Sequence, residues 1–365
     1  MGVIDFKNDA RLKWLRFVLN PCLPRPDIWD WQTLFEFAER QALVGVCTPT
    51  RFEDLRLPKN ILMQWIGAQT VISNRNSLLN RQTALLYEIL KSDGLRCCIL
   101  KGQGNVTFYP IDLMRTPGDI DVWVDTEEDA LLEYVKKQFP EEKESFKHIK
   151  FPVFPDTPVD LHYTPLKIYH PKHNKRLQSW LALEKEIQMS HYVRLVGTGG
   201  NVAIPTAKFN AVYQLGHILV HIEDEGIGFR QIVDYFYVLK QVVGLSDKEK
   251  REIIETWRWL GLRKLAAAVM WVEHELLGLP EDCLLVAPNG RMGRLLAEDI
   301  MEGGNFGHHS DREKYRQYGS FAKKLSNAWH MIRLSSCFPG DAFFRLLTKM
   351  KNGVLIITKK LRNPK

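Results

Sequence analysis

Asp119 and Asp121 stand one residue apart in the run RTPGDIDVWVD, residues 115–125. In an extended strand, residues i and i+2 project from the same face. The two carboxylates therefore point together, with Trp123 further along, while Ile120, Val122 and Val124 make the opposite, apolar face. Two carboxylates at that separation repel, and a half-buried sheet is a costly place to put them. A divalent cation removes both objections. Hard oxygen ligands on a rigid element suit Mg²⁺, which keeps positions open for water and phosphate. A third acid, Asp160 in PVDLHYTP, lies on another expected strand between Val159 and Leu161. If the two strands are neighbours, Asp160 completes a triad able to hold two ions, one activating an attacking oxygen and one bridging a triphosphate. The plainer alternatives are solvated or capping acids at 119 and 121, and a turn-to-strand acid after Pro158.

Upstream, LKGQGN sets Lys101 and Gly102 at a strand end that leads into a helix. Glycine lets backbone approach phosphate, and a helix start offers N–H donors. Arg115 precedes the aspartates and is placed to offset phosphate charge. Against this, Lys101 reads equally as an ordinary strand-end lysine, Gly102 as a turn residue, and Arg115 as a structural partner of Asp112 or Asp119. His162 shares a strand face with Asp160, where it could orient an acceptor or a carboxylate, and, like His148, it also reads as a hydrogen-bonded structural residue. His217 and His221 have a zinc-compatible i, i+4 spacing, but no third ligand accompanies them. Arg230 and Asp234, also i, i+4, are expected to form a helix-surface or interdomain ion pair. HEL at 274–276 lacks the second histidine of a zinc-protease motif, since Gly278 occupies its place. Trp257, Trp259 and Trp271 read as core, and His308–His309 as an exposed loop.

The elements that must position these groups follow from periodicity. The first ninety residues read as helices, including a long one from about Pro58 to Ser92 that stops at Asp93-Gly94. Residues 96–100 form a short strand, GQGNVTFYP a short helix, and DIDVWV a second strand. TEEDALLEYVKKQF follows as a helix with Thr126 as N-cap. FKHIKFPVF and VDLHYTP give two more strands around a Pro-rich turn. Beyond residue 166 the pattern is mainly helical, apart from an expected hairpin of HYVRLVG and NVAIP and a break at residues 303–307. The expected division is a helical region 1–93, an α/β core 94–165, a mainly helical domain 166–302 and a C-terminal helical region 303–365 with a basic tail.

ILKG, a helix ending in YP, then RTPGDIDVWV and VDLHY resemble the DNA polymerase beta-type nucleotidyltransferase superfamily, and within it the uncharacterised nucleotidyltransferase branch. LGHILVHIEDEGIGFRQIVDYF is similar to that branch's helical His…His…Arg…Asp segment. The chain departs from the wider superfamily at Gln103, where serine is usual. The resemblance implies an α+β fold: a nucleotidyltransferase palm, a small mixed sheet with helices, flanked by helical N- and C-terminal regions. It implies metal-dependent transfer of a nucleoside monophosphate, AMP by default, from an NTP such as ATP to a hydroxyl-bearing acceptor, with release of pyrophosphate. Asp119, Asp121 and Asp160 would bind Mg²⁺ as two ions, and Asp160 would help activate the acceptor. Lys101, Gly102 and Arg115 would contact the nucleotide.

Bulk properties bound the alternatives. In 365 residues with 45% hydrophobic content there is material for a large core, and the absence of an 18-residue apolar run predicts no transmembrane segment. The N-terminal stretch lacks the apolar core of a signal peptide, and the six cysteines contain no CxxC pair; a reducing, cytoplasmic setting is expected. Residues 101–160 hold thirteen acids against seven lysines and arginines, whereas seven basic residues and no acid follow Asp341. The acidic core favours a small molecule or a protein over nucleic acid as acceptor, while the basic tail leaves nucleic acid or an anionic lipid surface open. Two other function classes stand beside the transferase: a non-catalytic nucleotide-binding or antitoxin-like module, and a phosphoesterase using the same acids. The triad argues against the first, and the absence of His-rich metal clusters against the second.

Overall fold

The computed structural model describes residues 5–49, 57–143, 148–307 and 329–349. Lys351, Lys359, Lys360, Arg362 and Lys365 of the basic tail, and His308–His309, lie outside the described residues. Three helices open the chain, α1 (Ala10–Leu19), α2 (Trp31–Arg40) and the single turn α3 (Val44–Cys47). Trp14, Trp31 and Trp65 pack edge to face within this region. The long helix α4 (Lys59–Ser92) follows the expected pattern and ends at Asp93, with Gly94 in the left-handed region at φ +78°. At 34 residues it is about 50 Å long, long enough to touch several parts of the site at once.

The sheet comes next. β1 (Cys97–Ile99) leads into the single turn α5 (Gln103–Val106), β2 (Ile120–Val124), α6 (Glu128–Gln138), β3 (His148–Lys150) and β4 (Val159–His162). Spatial order is β1-β2-β4-β3, with β2 parallel to β4 and both edge strands antiparallel to their neighbours. The mixed sheet and its helices form the α+β palm that the sequence pattern implies. Three details differ from expectation. β2 begins at Ile120, so Asp119 sits at the mouth of the strand rather than in the ladder. α6 starts one residue later than foreseen, with Glu127 at the N-cap and no side-chain cap, because Thr126 is taken into the turn from the strand. β3 ends at Lys150, although Phe151 still bonds back to Val159.

Helices then cover the sheet. After α7 (Pro171–Ser190), β5 (Tyr192–Arg194) and β6 (Asn201–Ala203) form the expected hairpin. α8 (Ala207–Asp224), capped by Thr206, buries residues on every side, as a helix at the centre of a core must. Its Phe209 stacks on Trp123 of β2 with ring centroids 5.9 Å apart, so α8 crosses the face of the sheet that carries the aspartates. α9 (Phe229–Val242), α10 (Asp247–Trp259), α11 (Arg263–Trp271) and α12 (Gly290–Gly303) complete the long elements, with further helical turns over 329–334 and 339–349. One buried apolar cluster runs from Leu12 to Ala342. Trp257 belongs to it, Trp271 packs partly buried against it, and Trp259 is 41% exposed. Among the described residues, no helix is long and apolar enough to cross a membrane.

Candidate functional site

Register decides the geometry of the acids. Asp121 of β2 is the direct partner of Asp160 on β4, and Lys150 of β3 continues the same row. One step along the strands, Trp123, His162 and His148 make a second row on that face. Parallel pairing of β2 with β4 therefore brings together carboxylates 39 positions apart in the chain. Asp119, Asp121 and Asp160 offer oxygens all within 4.8 Å of one another, the arrangement the sequence pattern calls for.

Their environments differ. Asp121 is 3% exposed, with Lys101 Nζ at 2.8 Å on one oxygen and His162 Nε2 at 2.8 Å on the other. Burial alone would raise this carboxyl, but Lys101 and His162 hold it well below the usual carboxylate range. Lys101 is in turn held above its ordinary value, since the attraction of Asp121 and Asp119 outweighs its burial. Asp160 has no such partner at close range; His148 Nε2 lies 3.6 Å away. Burial, then repulsion from Asp121 and Asp119, pushes Asp160 up to about 6. A hard, oxygen-rich set whose third member is strained by its neighbours' charge fits a divalent cation, which would bind the oxygens and relieve the repulsion. His148, Asp160 and His162 make a second group with metal-ligand atoms within 4.8 Å. It shares Asp160 with the triad and borrows His162 from Asp121.

Gly102 and Gly104 shape the entry to the site. Gly102 has φ +50° at the N-cap of α5, and a Cβ on Gly104 would stand 2.7 Å from the Ile99 carbonyl oxygen. Gln103 points away from the acids and donates to Asn80 Oδ1 at 2.6 Å. One turn earlier on α4, Asn76 donates to the carbonyls of Leu113 at 3.0 Å and Arg115 at 2.7 Å. Two buried asparagines four apart thus hold the loops that carry Gly102 and Arg115. A polar pair on a helix face otherwise destined for the core was the available signal.

The Asp112 side chain lies outside what is described, and Arg115 does not pair with Asp119. Its Nε and Nη2 grip the two oxygens of Asp234 at 2.7 and 2.8 Å, and Tyr109 donates to the same carboxylate at 2.6 Å. Of the two expected arrangements Asp234 therefore takes the longer-range one, with Arg115, and the helix-surface Arg230–Asp234 pair does not form. A bidentate guanidinium–carboxylate fork is the stronger arrangement and displaces an i, i+4 contact. Despite burial, the pair stays ionised: Arg115 is held above and Asp234 below its ordinary value.

Palm and helices enclose a cavity of about 450 Å³. On the palm side it is lined by the triad, Lys101, Gly102 and Arg115; facing these are Gln214, His217 and His221 of α8, Arg230 and Gln231 of α9, and Phe306. Asp224, at the end of α8, also lines it and pairs with Arg345 of the last described helix. Nε2 of His217 and Nε2 of His221 lie 3.2 Å apart. Among the described residues they join no group of three metal-ligating side chains. His274 of the HEL stretch meets the Leu279 carbonyl and lies outside the cavity.

A family model described as an uncharacterised nucleotidyltransferase matches residues 29–278. No curated protein matches the chain. Among solved structures, a chain titled as an antigenic nucleotidyltransferase-like protein from Paracoccidioides brasiliensis is similar at 16% identity, over 51% of this chain and 87% of that one, with a TM-score of 0.29. A likeness of that size carries no weight of its own. The family match spans the palm, its triad, and the α8–α9 wall.

Proposed function

We propose, from the premise that this chain belongs to the uncharacterised nucleotidyltransferase family, that it transfers a nucleoside monophosphate from an NTP to a hydroxyl-bearing acceptor and releases pyrophosphate. The observation that carries this reading is the convergence of Asp119, Asp121 and Asp160 at one end of two parallel strands, their oxygens within 4.8 Å. The acceptor oxygen bonds to the α-phosphorus as the bond from that phosphorus to the β-bridging oxygen breaks, and the hydroxyl proton leaves to a base. Asp119, Asp121 and Asp160 would hold Mg²⁺. When bound, it supplies Lewis-acid polarisation of the phosphate and lowers the cost of forming the attacking oxygen.

The chain's own groups do the rest by position and charge. Asp160, whose carboxyl is pushed up to about 6 by burial and by Asp121 and Asp119, would take the acceptor's proton. Lys101 and His162 fix the Asp121 carboxylate in one orientation. Gly102 leaves backbone open to the nucleotide, and Arg115, buried and forked to Asp234, lines the cavity from the palm side. ATP is the default donor. The hydroxyl acceptor is taken as a small molecule or a protein, since a cavity of about 450 Å³ walled on several sides suits a compact group better than a long polyanion track.

The test is to incubate the full chain with Mg²⁺, α-labelled NTPs and cell extract, then identify the labelled acceptor by mass. Label that is lost in Asp119→Asn supports the reading, and label that survives in that variant overturns it. Nucleotide binding with no transferred label in any extract favours the non-catalytic module.

A further inference from the structure

Each palm lysine or arginine that lines the cavity already has an acid. Lys101 is matched by Asp121 and Arg115 by Asp234. Arg230 is different. It is the second residue of α9 and lines the cavity from the wall opposite the palm. Among the described residues it makes no ion pair, because Asp234, one turn on, is taken by Arg115. Its Nε is buried and has no hydrogen-bond partner. The guanidinium lies over Gly118, where a Cβ would stand 3.0 Å from Nη2. The residue immediately before Asp119 thus has no side chain, and Arg230 occupies the space.

This placement is unfavourable for the protein on its own. Burial and then the charge of Arg115 push Arg230 down to about 10, with only partial relief from Asp234 and Asp119. It therefore remains charged near neutrality, without a counterion. The formal charges of the site explain what would satisfy it. Lys101 stands against Asp121, Arg115 against Asp234 and Arg345 against Asp224, while Glu225, 59% exposed, lies beside His221. Arg230 is the buried cavity-lining cation without a close acid, a few ångströms from the mouth of β2. A planar guanidinium with unfilled N–H donors beside a metal triad is matched by an anion of phosphate geometry.

We infer that Arg230 binds the β- and γ-phosphates of the nucleotide, the part that leaves as pyrophosphate, and that the Arg115–Asp234 pair is the brace positioning α9 so that it reaches them. This rests on the transferase reading for the identity of the anion, though the anion site itself can be measured without any transfer. The role of Arg115 shifts accordingly, from contacting phosphate with its fork to orienting the wall that does.

The probe is inorganic tripolyphosphate with Mg²⁺, titrated calorimetrically into the full chain with neither base nor acceptor present. Arg230→Gln is expected to weaken binding at least tenfold. Arg230→Lys should recover part of the loss, because it restores charge without the fork. Gly118→Ala should also weaken binding, by displacing the guanidinium. Titration of Mg²⁺ alone should be unchanged in Arg230→Gln, which separates loss of the anion site from loss of the fold. Tripolyphosphate affinity within twofold of wild type in Arg230→Gln, or no binding by wild type, overturns the inference. Arg230-dependent binding without transferred label would leave the anion site standing and remove the transferase reading. Transfer that is unaffected in Arg230→Gln would do the reverse.

Discussion

Replacing Asp160 with asparagine should make the metal-free protein more stable and remove its activity. The Asp160 side chain is 19% exposed and faces two other carboxylates, which with burial raise its carboxyl from 3.8 to about 6. Above both values the unfolded chain ionises this group at no cost, whereas the folded chain does so against repulsion. The difference amounts to about 3 kcal/mol, and water reaching the partly exposed side chain reduces the expectation to about 2 kcal/mol. Because the folded value is the higher one, the stabilisation is complete below about pH 4 and disappears as pH rises through 6. Wild type and Asp160→Asn should therefore unfold alike at pH 4. At pH 8 in EDTA the variant should melt about 2–4 °C higher. Mg²⁺ should then raise the melting temperature of wild type and leave the variant nearly unmoved. Urea or thermal unfolding in EDTA from pH 4 to 8 gives the comparison directly. A variant no more stable than wild type at pH 8 would show that Asp160 is not strained by its neighbours, and the argument for a cation between the three acids would lose its electrostatic basis.

Four further outcomes follow from the packing. Arg115→Ala leaves Asp234 buried with Tyr109 as its remaining hydrogen-bond donor, a loss of about 3–5 kcal/mol; urea denaturation should show the Arg115→Ala/Asp234→Ala double variant losing clearly less than the sum of the single ones. Asn76→Ala removes bonds to the carbonyls of Leu113 and Arg115 and should cost about 1–3 kcal/mol by denaturant titration, with label transfer falling because the Arg115 loop is released. Gly104→Ala puts a methyl group 2.7 Å from the Ile99 carbonyl oxygen, and should destabilise by about 1–3 kcal/mol in the same measurement. Gly67→Ala is the control: it lies within α4 with open space around a Cβ, so helix propensity should raise stability by about 0.5–1 kcal/mol.

What the sequence reveals depends on how local the cause is. The palm was legible because a period-two pattern interrupted by glycine and proline leaves few alternatives for β1, β2 and β4. The convergence of Asp160 with Asp119 and Asp121 needed only that two such strands be neighbours. The helical wall was legible as helices but not as contacts. Arg115 and Asp234 are 119 positions apart, and nothing in either local pattern announces their meeting. The helix-surface alternative for Arg230 and Asp234 rested on spacing along one helix, and a tertiary fork with better geometry took Asp234 instead. His148 read as an ordinary strand residue, because the antiparallel register of β3 that places it beside Asp160 is set by pairing rather than by composition. Asn76 and Asn80 escaped for a related reason: a helix shows which residues face inward, but not which loops wait there with unpaired carbonyls.

The triad and the buried arginine that face each other across the cavity come from separate stretches of chain. Acids arrive with β2 and β4, while the unmatched guanidinium arrives with α9. The Arg115–Asp234 fork, joined by Tyr109, ties one wall to the other, so the cavity exists only when the helical segment is docked on the palm. Such an arrangement is costly to the protein alone on both sides, with Asp160 strained by carboxylates and Arg230 by a second guanidinium. A module that merely held a nucleotide would be served by the cationic wall and a neutral palm, since an ionised Asp160 repels phosphate and lowers stability. Three acids facing one uncompensated arginine make physical sense when a cation and a polyphosphate enter together, each relieving the repulsion that the other side stores. That mutual relief predicts positive coupling: Mg²⁺ should bind more tightly with tripolyphosphate present than alone, and tripolyphosphate more tightly with Mg²⁺, by the same factor. The coupling should shrink in Arg230→Gln by more than tripolyphosphate's own affinity for Mg²⁺ in solution can explain. Equal coupling in that variant would mean that the two walls act independently.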